Sequence, residues 1–164
     1  MTIRIGVIGV GVVGRIRSRE YARNVKGAQL TAVCDIDPKA LDWAEDEFGG
    51  EVKCFDDPDK MWDSVDAVMI ATPHYDHPTL AVRAFEKGKH VHVEKPAGVH
   101  PKQVREMNAA ARASGTTFAV HFQQRYKPIN RLLHDVVHSG ELGRIQRINW
   151  IITTWFRSQQ YYNS

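Results

Sequence analysis

The sequence predicts an α/β fold, a doubly wound parallel sheet over residues 1–124. Three observations carry that prediction. Short apolar runs of strand length alternate with amphipathic stretches of helix length. A glycine-rich turn, Gly9-Val-Gly11-Val-Val-Gly14, directly follows the first apolar run. The alternation then stops near residue 125, where the pattern changes.

Ile3–Ile8 (IRIGVI) is β-branched and apolar, which suits a strand buried on both faces. Val12 to about Val25 reads as a helix, and Leu30–Cys34 as a second buried strand. Pro38 stands where a first-turn proline belongs. Leu41, Ala44 and Phe48 mark the apolar face of the helix that follows, and Gly49-Gly50 stops it. Val52–Phe55 is a short strand, Asp56–Ser64 a loop with a short helix, and Ala67–Ala71 a further buried strand. Pro78–Lys87 is a helix with Leu80, Ala81, Ala84 and Phe85 on its apolar side. His90–Val93, His100–Ser114 and Thr117–Phe122 read as strand, helix and strand. Six strands separated by helices imply parallel pairing with right-handed crossovers.

Beyond that unit, Pro128–Ser139 has Ile129, Leu132, Leu133 and Val136 at helical spacing. Arg144–Phe156 (RIQRINWIITTWF) reads as one long strand. Residues 125–164 are therefore expected to begin a second α+β domain with an open antiparallel sheet, which the 164-residue chain leaves incomplete.

Composition excludes several classes. Hydrophobic residues at 43% and charged residues at 25% are ordinary for a globular chain and rule out a disordered tail or a rod. No stretch approaches the roughly 20 uncharged apolar residues that span a bilayer. The N-terminus lacks the small-residue cleavage site of a signal peptide. Two cysteines, Cys34 and Cys54, are too few for a disulfide scaffold or a four-ligand zinc site. A cytoplasmic protein in a reducing compartment is expected. Residues 1–100 carry 13 Lys+Arg against 16 Asp+Glu, and residues 101–164 carry 9 against 3. The basic residues are scattered and no nucleic-acid motif surrounds them, so neither a nucleic-acid nor a membrane partner is expected.

The glycine turn supplies the first chemistry. Gly9 permits a tight turn, Gly11 lets the backbone approach a pyrophosphate, and Gly14 lets the helix pack close to the strand. The helix N-terminus then offers free N–H groups to phosphates. Gly9, Gly11, Val12, Val13 and Gly14 are thus candidate cofactor contacts. Asp35 ends the second strand, where a carboxylate accepts from the adenosine ribose hydroxyls and repels a 2′-phosphate. NAD is expected over NADP. The competing readings are plain turn glycines and a capping aspartate. Arg15 and Arg17 stand near in sequence and complicate the preference. Arg17 reads as a solvated helix residue.

The second cluster lies at the carboxyl ends of the fourth and fifth strands, where open α/β sheets bind ligands. Ala71, Thr72, Pro73, His74 and His77 stand at one, and Glu94-Lys95-Pro96 at the other. A lysine beside a glutamate just past a buried strand suits hydrogen bonding to a substrate hydroxyl or help with its proton. A surface lysine is the alternative. His90 and His92 read as strand-face residues, and His134 and His138 as a solvated helix pair. No metal site is expected.

These motifs together resemble the Gfo/Idh/MocA family of oxidoreductases. The resemblance rests on GVGVVG, CDIDP, TPHYDHP, GKHVHVEKP and QQRYKPINRLLHDVVHSGELGRIQRINW. It implies a Rossmann domain followed by a domain with a large open antiparallel sheet. It implies NAD(P)-dependent oxidation or reduction of a sugar, cyclitol or related polyol. It also implies that Lys95 is the active-site lysine, that Glu94 and Pro73 line the nicotinamide side, that Gln123 lies near the cleft, and that the Lys95–Pro96 bond is cis. His74 departs from the asparagine often found there. Family members are longer, and their downstream aspartate and histidine have no counterpart in this sequence, so the chain reads as truncated and inactive alone. A homo-oligomer through the C-terminal sheet is expected. The alternatives are a non-catalytic dinucleotide-binding module, acting as sensor or scaffold, and a hydrolase that uses NAD transiently.

Overall fold

The computed structural model describes residues 2–153 and 156–159. The chain divides into two compact units, one ending at Phe122 and one starting at Gln123.

The first unit is a six-stranded sheet with the order β3-β2-β1-β4-β5-β6, every pair parallel. The strands are β1 (Ile3–Ile8), β2 (Ala28–Cys34), β3 (Lys53–Phe55), β4 (Ala67–Ile70), β5 (His90–Val93) and β6 (Phe118–Val120). The helices are α1 (Val12–Arg23), α2 (Pro38–Phe48), α3 (His77–Glu86) and α4 (Pro101–Ser114). The expected loop at 56–64 holds two short 3₁₀ turns, Pro58–Lys60 and Trp62–Ser64.

Alternation in strands buried on both faces fills two cores, and a register shift between Ile5 and Gly6 in the pairing of β1 with β2 puts Leu30 on the same side as Val33. Val7, Leu30, Val33 and Met69 point to one side, against Ala40 and Ala44 of α2. Ile8, Ala32, Cys34, Val68, Ile70, Val91 and Val93 point to the other, against Ala81 and Phe85 of α3 and Met107 of α4. Phe85 meets Phe118 edge-on, with ring centroids 5.5 Å apart. Helix boundaries follow local chemistry. The Asp37 side chain accepts from the Lys39 N–H at 3.0 Å, Pro38 opens α2, and Gly49 closes it in the left-handed conformation.

The second unit has a 3₁₀ turn, Gln123–Tyr126, and α5 (Pro128–His138), which begins at a proline. Ile129, Leu132 and Leu133 of α5 are exposed. The expected strand Arg144–Phe156 is not found. Residues 144–153 and Phe156 have no regular structure, and Thr154 and Trp155 lie outside the described residues. A strand needs a neighbour for its ladder, and among the described residues none pairs with this segment. Ile148, Trp150, Ile151 and Phe156 are all exposed.

Candidate functional site

The hydrogen-bond ladder runs one residue past the carboxyl end of β1, β2, β4, β5 and β6. The Gly9 N–H donates to the Cys34 carbonyl (2.8 Å), Asp35 to Phe55 (3.1 Å), Ala71 to Ile8 (2.8 Å), Glu94 to Ile70 (2.9 Å) and His121 to Val93 (2.8 Å). Gly9, Asp35, Ala71, Glu94 and His121 therefore share one edge of the sheet. Of the residues singled out from sequence, only Gln123 belongs to the second unit, exposed at the head of its 3₁₀ turn.

The three glycines differ physically. Gly9 has φ +88°, and a Cβ there would sit 2.7 Å from the Thr72 backbone nitrogen. A Cβ on Gly14 would lie 1.8 Å from the Gly9 carbonyl oxygen, so no larger residue fits between β1 and α1. Gly11 has ordinary φ and ψ, −71° and −164°, and nothing within 4 Å of a built Cβ. Its smallness is not demanded by the protein. It keeps open a space in front of α1, where the first-turn N–H groups lack intrahelical acceptors and no side chain caps them. Val12 and Val13 stand exposed beside that space. An anionic group fits this cradle.

Asp35 braces the turn. One carboxylate oxygen accepts from the Val10 N–H at 2.5 Å and the other from the Asp37 N–H at 2.9 Å. Each oxygen retains lone-pair capacity for a ligand hydroxyl. A cavity of about 560 Å³ opens beside it, bordered by Gly9, Gly11, Asp35, Thr72, Pro73 and Arg83. That volume suits a small-molecule site. The Arg83 guanidinium is ion-paired to Asp59 at 2.9 Å, with Asp57 at 3.6 Å. Cys34 also borders the cavity, and burial, with Asp35 adjacent, pushes its thiol up to about 12.

At the other end of the edge, the Lys95–Pro96 bond is cis. Lys95 is exposed just past it. His77 is fully buried. Its Nδ1 lies 2.8 Å from the Pro96 carbonyl and its Nε2 2.9 Å from the Thr72 carbonyl. His77 therefore ties the two loops together, with both ring nitrogens facing carbonyl oxygens.

Glu94 is 7% exposed. One of its oxygens accepts from the Arg17 Nε and Nη2 at 3.0 and 2.8 Å, and the other from the Lys95 backbone N–H at 3.2 Å. Arg17 is not the solvated residue expected. Its side chain is 14% exposed and also pairs with Glu20 at 2.6 Å. Burial works against its charge, but the bonds from Glu20 and Glu94 outweigh it and raise its pKa.

Behind Glu94 runs a chain of polar rings. The Tyr21 hydroxyl is 2.9 Å from His92 Nδ1, and His92 Nε2 is 3.1 Å from His121 Nδ1. His121 Nε2 faces the Glu94 carboxylate at 4.0 Å. Burial lowers the pKa of both imidazoles, helped by His121 and then Arg17 at His92, and by Arg17 at His121. The sequence analysis gives no role to Tyr21 or His121, and reads His92 only as a strand-face residue and Arg17 only as a solvated one. A signal was present, since Arg17 stands three residues after the buried Gly14 and so on the sheet-facing side of α1.

Among the described residues, no three His, Cys, Asp or Glu are grouped to hold a metal. His134 and His138 stack at 4.1 Å on the exposed face of α5. No helix among the described residues is long and apolar enough to cross a membrane.

A sequence profile of an oxidoreductase family with an NAD-binding Rossmann fold, GFO_IDH_MocA, matches residues 3–122. Inositol 2-dehydrogenase of Salmonella typhimurium is 29% identical over 147 residues, which cover 88% of this chain and 44% of that protein. Glucose-6-phosphate 3-dehydrogenase of Bacillus subtilis is 29% identical over 145 residues, covering 88% and 41%. Among solved structures, scyllo-inositol dehydrogenase from Lactobacillus casei with bound NAD(H) and scyllo-inositol superposes with a TM-score of 0.82. It is 31% identical, with 87% of this chain and 43% of that chain covered. The WlbA dehydrogenase from Bordetella pertussis, in complex with NADH and UDP-GlcNAcA, gives a TM-score of 0.87 at 29% identity, with 99% and 50% covered. The chain spans less than half the length of these curated relatives.

Proposed function

The chain belongs to the GFO_IDH_MocA oxidoreductase family, and from that premise we propose that it binds NAD and serves hydride transfer between the nicotinamide and a secondary alcohol of a sugar, cyclitol or related polyol. The observation that carries this reading is the open cradle at Gly11, flanked on one sheet edge by Asp35 and by Glu94-Lys95. The loop between Gly9 and Gly14 and the start of α1 would hold the pyrophosphate. Asp35 would take the adenosine ribose and disfavour a 2′-phosphate. Arg83, neutralised by Asp59, offers that phosphate little compensation. Bound nicotinamide supplies the hydride acceptor or donor.

With Asp35 at the adenosine ribose, Thr72, Pro73 and then Glu94, at the ends of β4 and β5, would be the residues to hold the nicotinamide half. Lys95 orients the substrate hydroxyl and eases movement of its proton. Dehydrogenase activity, the polyol substrate class, a cytoplasmic location and self-association through the exposed apolar residues of the second unit all belong to this proposal. The relatives named above act on inositol and on a sugar phosphate, which supports the substrate class. The test is an NADH-formation assay over a panel of polyols and sugars, paired with NAD titration. The 164-residue chain should bind NAD with almost no turnover, and in a protein of the relatives' length Lys95→Ala should cut turnover about a hundredfold or more while leaving NAD affinity close to wild type. Tight NAD binding by that longer protein without turnover on any panel member would instead favour a non-catalytic module.

A further inference from the structure

The Tyr21–His92–His121 chain has a direction. An ionised Glu94 only accepts hydrogen bonds, so the nitrogen that faces it, His121 Nε2, is the one that carries the proton. His121 Nδ1 is then a lone pair and accepts from His92 Nε2–H at 3.1 Å. His92 Nδ1 is in turn a lone pair and accepts from the Tyr21 hydroxyl at 2.9 Å. The 4.0 Å separation of His121 Nε2 from Glu94 exceeds hydrogen-bond range, so the last link is made by charge rather than by contact.

The charged groups around His121 are few. From α1 come Arg17, Glu20 and the titratable Tyr21. From β5 and its end come His92, Glu94 and Lys95. Arg17 and Lys95 together balance Glu20 and Glu94, so with neutral imidazoles the group carries no net charge. A proton taken from solution onto His121 adds one positive charge to it.

An oxidised nicotinamide ring is a cation and the reduced ring is neutral. We infer that His121 is a positioning residue which, through Glu94, sets the preference of the site for oxidised over reduced dinucleotide. This rests on the reading of the glycine cradle as an NAD site. Neutral His121 adds no charge behind Glu94, which Arg17 already pairs. Protonated His121 adds a positive charge there and disfavours the cationic ring. Burial and Arg17 hold His121 below its ordinary value near 6.5, so the change is expected on the acid side of that value.

The experiment is titration of the 164-residue chain with NAD and with NADH across pH 8 to 5.5, for wild type and His121→Gln. The expected result is a wild-type ratio of Kd(NAD) to Kd(NADH) that rises about threefold on acidification, and a flat ratio in the variant. Adenosine and pyrophosphate contacts are common to both cofactors and cancel in the ratio. If the variant does not fold, histidine NMR of the wild type decides. The protonation midpoint of His121 should be lower in the NAD complex than in the NADH complex. A flat wild-type ratio, a variant that follows the wild type, or equal midpoints in the two complexes overturns the inference while leaving the NAD site standing. Failure of both cofactors to bind at neutral pH overturns the site reading and this inference with it.

Discussion

Substituting alanine at Gly11 and at Gly14 separates what the fold requires from what the ligand requires. At Gly14 the added methyl lands 1.8 Å from the Gly9 carbonyl oxygen, about half of a van der Waals contact. That atom is backbone and cannot swing away, so α1 must lift off β1. Overpacking of this kind costs about 1–3 kcal/mol or more, which lowers Tm by roughly 3–10 °C in a chain of this size. At Gly11 the methyl meets nothing within 4 Å, and the backbone angles suit any residue. Stability should stay within about 0.5 kcal/mol, or about 2 °C. Cofactor binding behaves the other way. The Gly11 methyl occupies the space in which a pyrophosphate meets the helix N-terminus, so Gly11→Ala should weaken NAD at least tenfold, about 1.4 kcal/mol. Differential scanning calorimetry gives Tm, and isothermal titration gives Kd. A Gly11→Ala chain that binds NAD like wild type, or that melts as early as Gly14→Ala, would refute the assignment of the two glycines.

NADP should bind at least tenfold more weakly than NAD, about 1.4 kcal/mol, and Asp35→Ser should narrow the gap. The same substitution should also lower NAD affinity, since Asp35 braces the Val10 N–H, and calorimetric titration of both cofactors reads both effects. Arg4 holds the Asp66 carboxyl at about 2, below its ordinary 3.8. Its contribution to stability is therefore present above pH 4 and lost as pH falls toward 2. Wild type should melt about 1–3 °C above Asp66→Asn at pH 6, because the pair is surface-exposed, and the difference should close on acidification in a circular-dichroism melt. Cys34 should resist iodoacetamide at pH 8 until the chain unfolds, since burial keeps its thiol protonated, as mass spectrometry of labelled peptides would report. The exposed apolar residues Ile148, Trp150, Ile151 and Phe156 should drive self-association, and a monodisperse monomer by light scattering at high concentration would contradict this.

Much of the first unit is legible in sequence because its signals are local. A β-branched run such as Ile3–Ile8, a proline at Pro38 and glycines at 49 and 50 each act within a few residues. The glycine turn and Asp35 are legible for the same reason, each sitting at the end of a recognisable strand. The Arg17–Glu94 pair is not, because its partners are 77 residues apart and meet only through the sheet order. Read alone on α1, the spacing from Gly14 puts Arg17 on the sheet-facing side, but nothing local names the carboxylate it meets. The imidazole pair fails in the same way. His92 and His121 stand on adjacent strands whose neighbourhood is set by β5–β6 pairing. The segment 144–156 errs in the opposite sense. Its residues have strand propensity, but propensity without a neighbouring ladder does not make a strand.

The sheet order has a consequence for how the chain is made. β1 is first in sequence yet central in space, pairing with β2 on one side and β4 on the other. During synthesis, β2 and β3 arrive soon after it, while the opposite edge of β1 waits 62 residues for Asp66 and β4 to close on Arg4. Until then an apolar strand edge stands open, the condition under which nascent chains pair with one another. A molecule gripped at once by Gly11 and Asp35 from the early half and by Thr72 or Glu94 from the late half recognises only the completed sheet. At a hundred times its Kd, such a ligand adds about 2.7 kcal/mol to the assembled form and nothing to the half-built one. Such a ligand would be a selective clasp on finished molecules, and it would leave unchanged the time that β1 waits for β4.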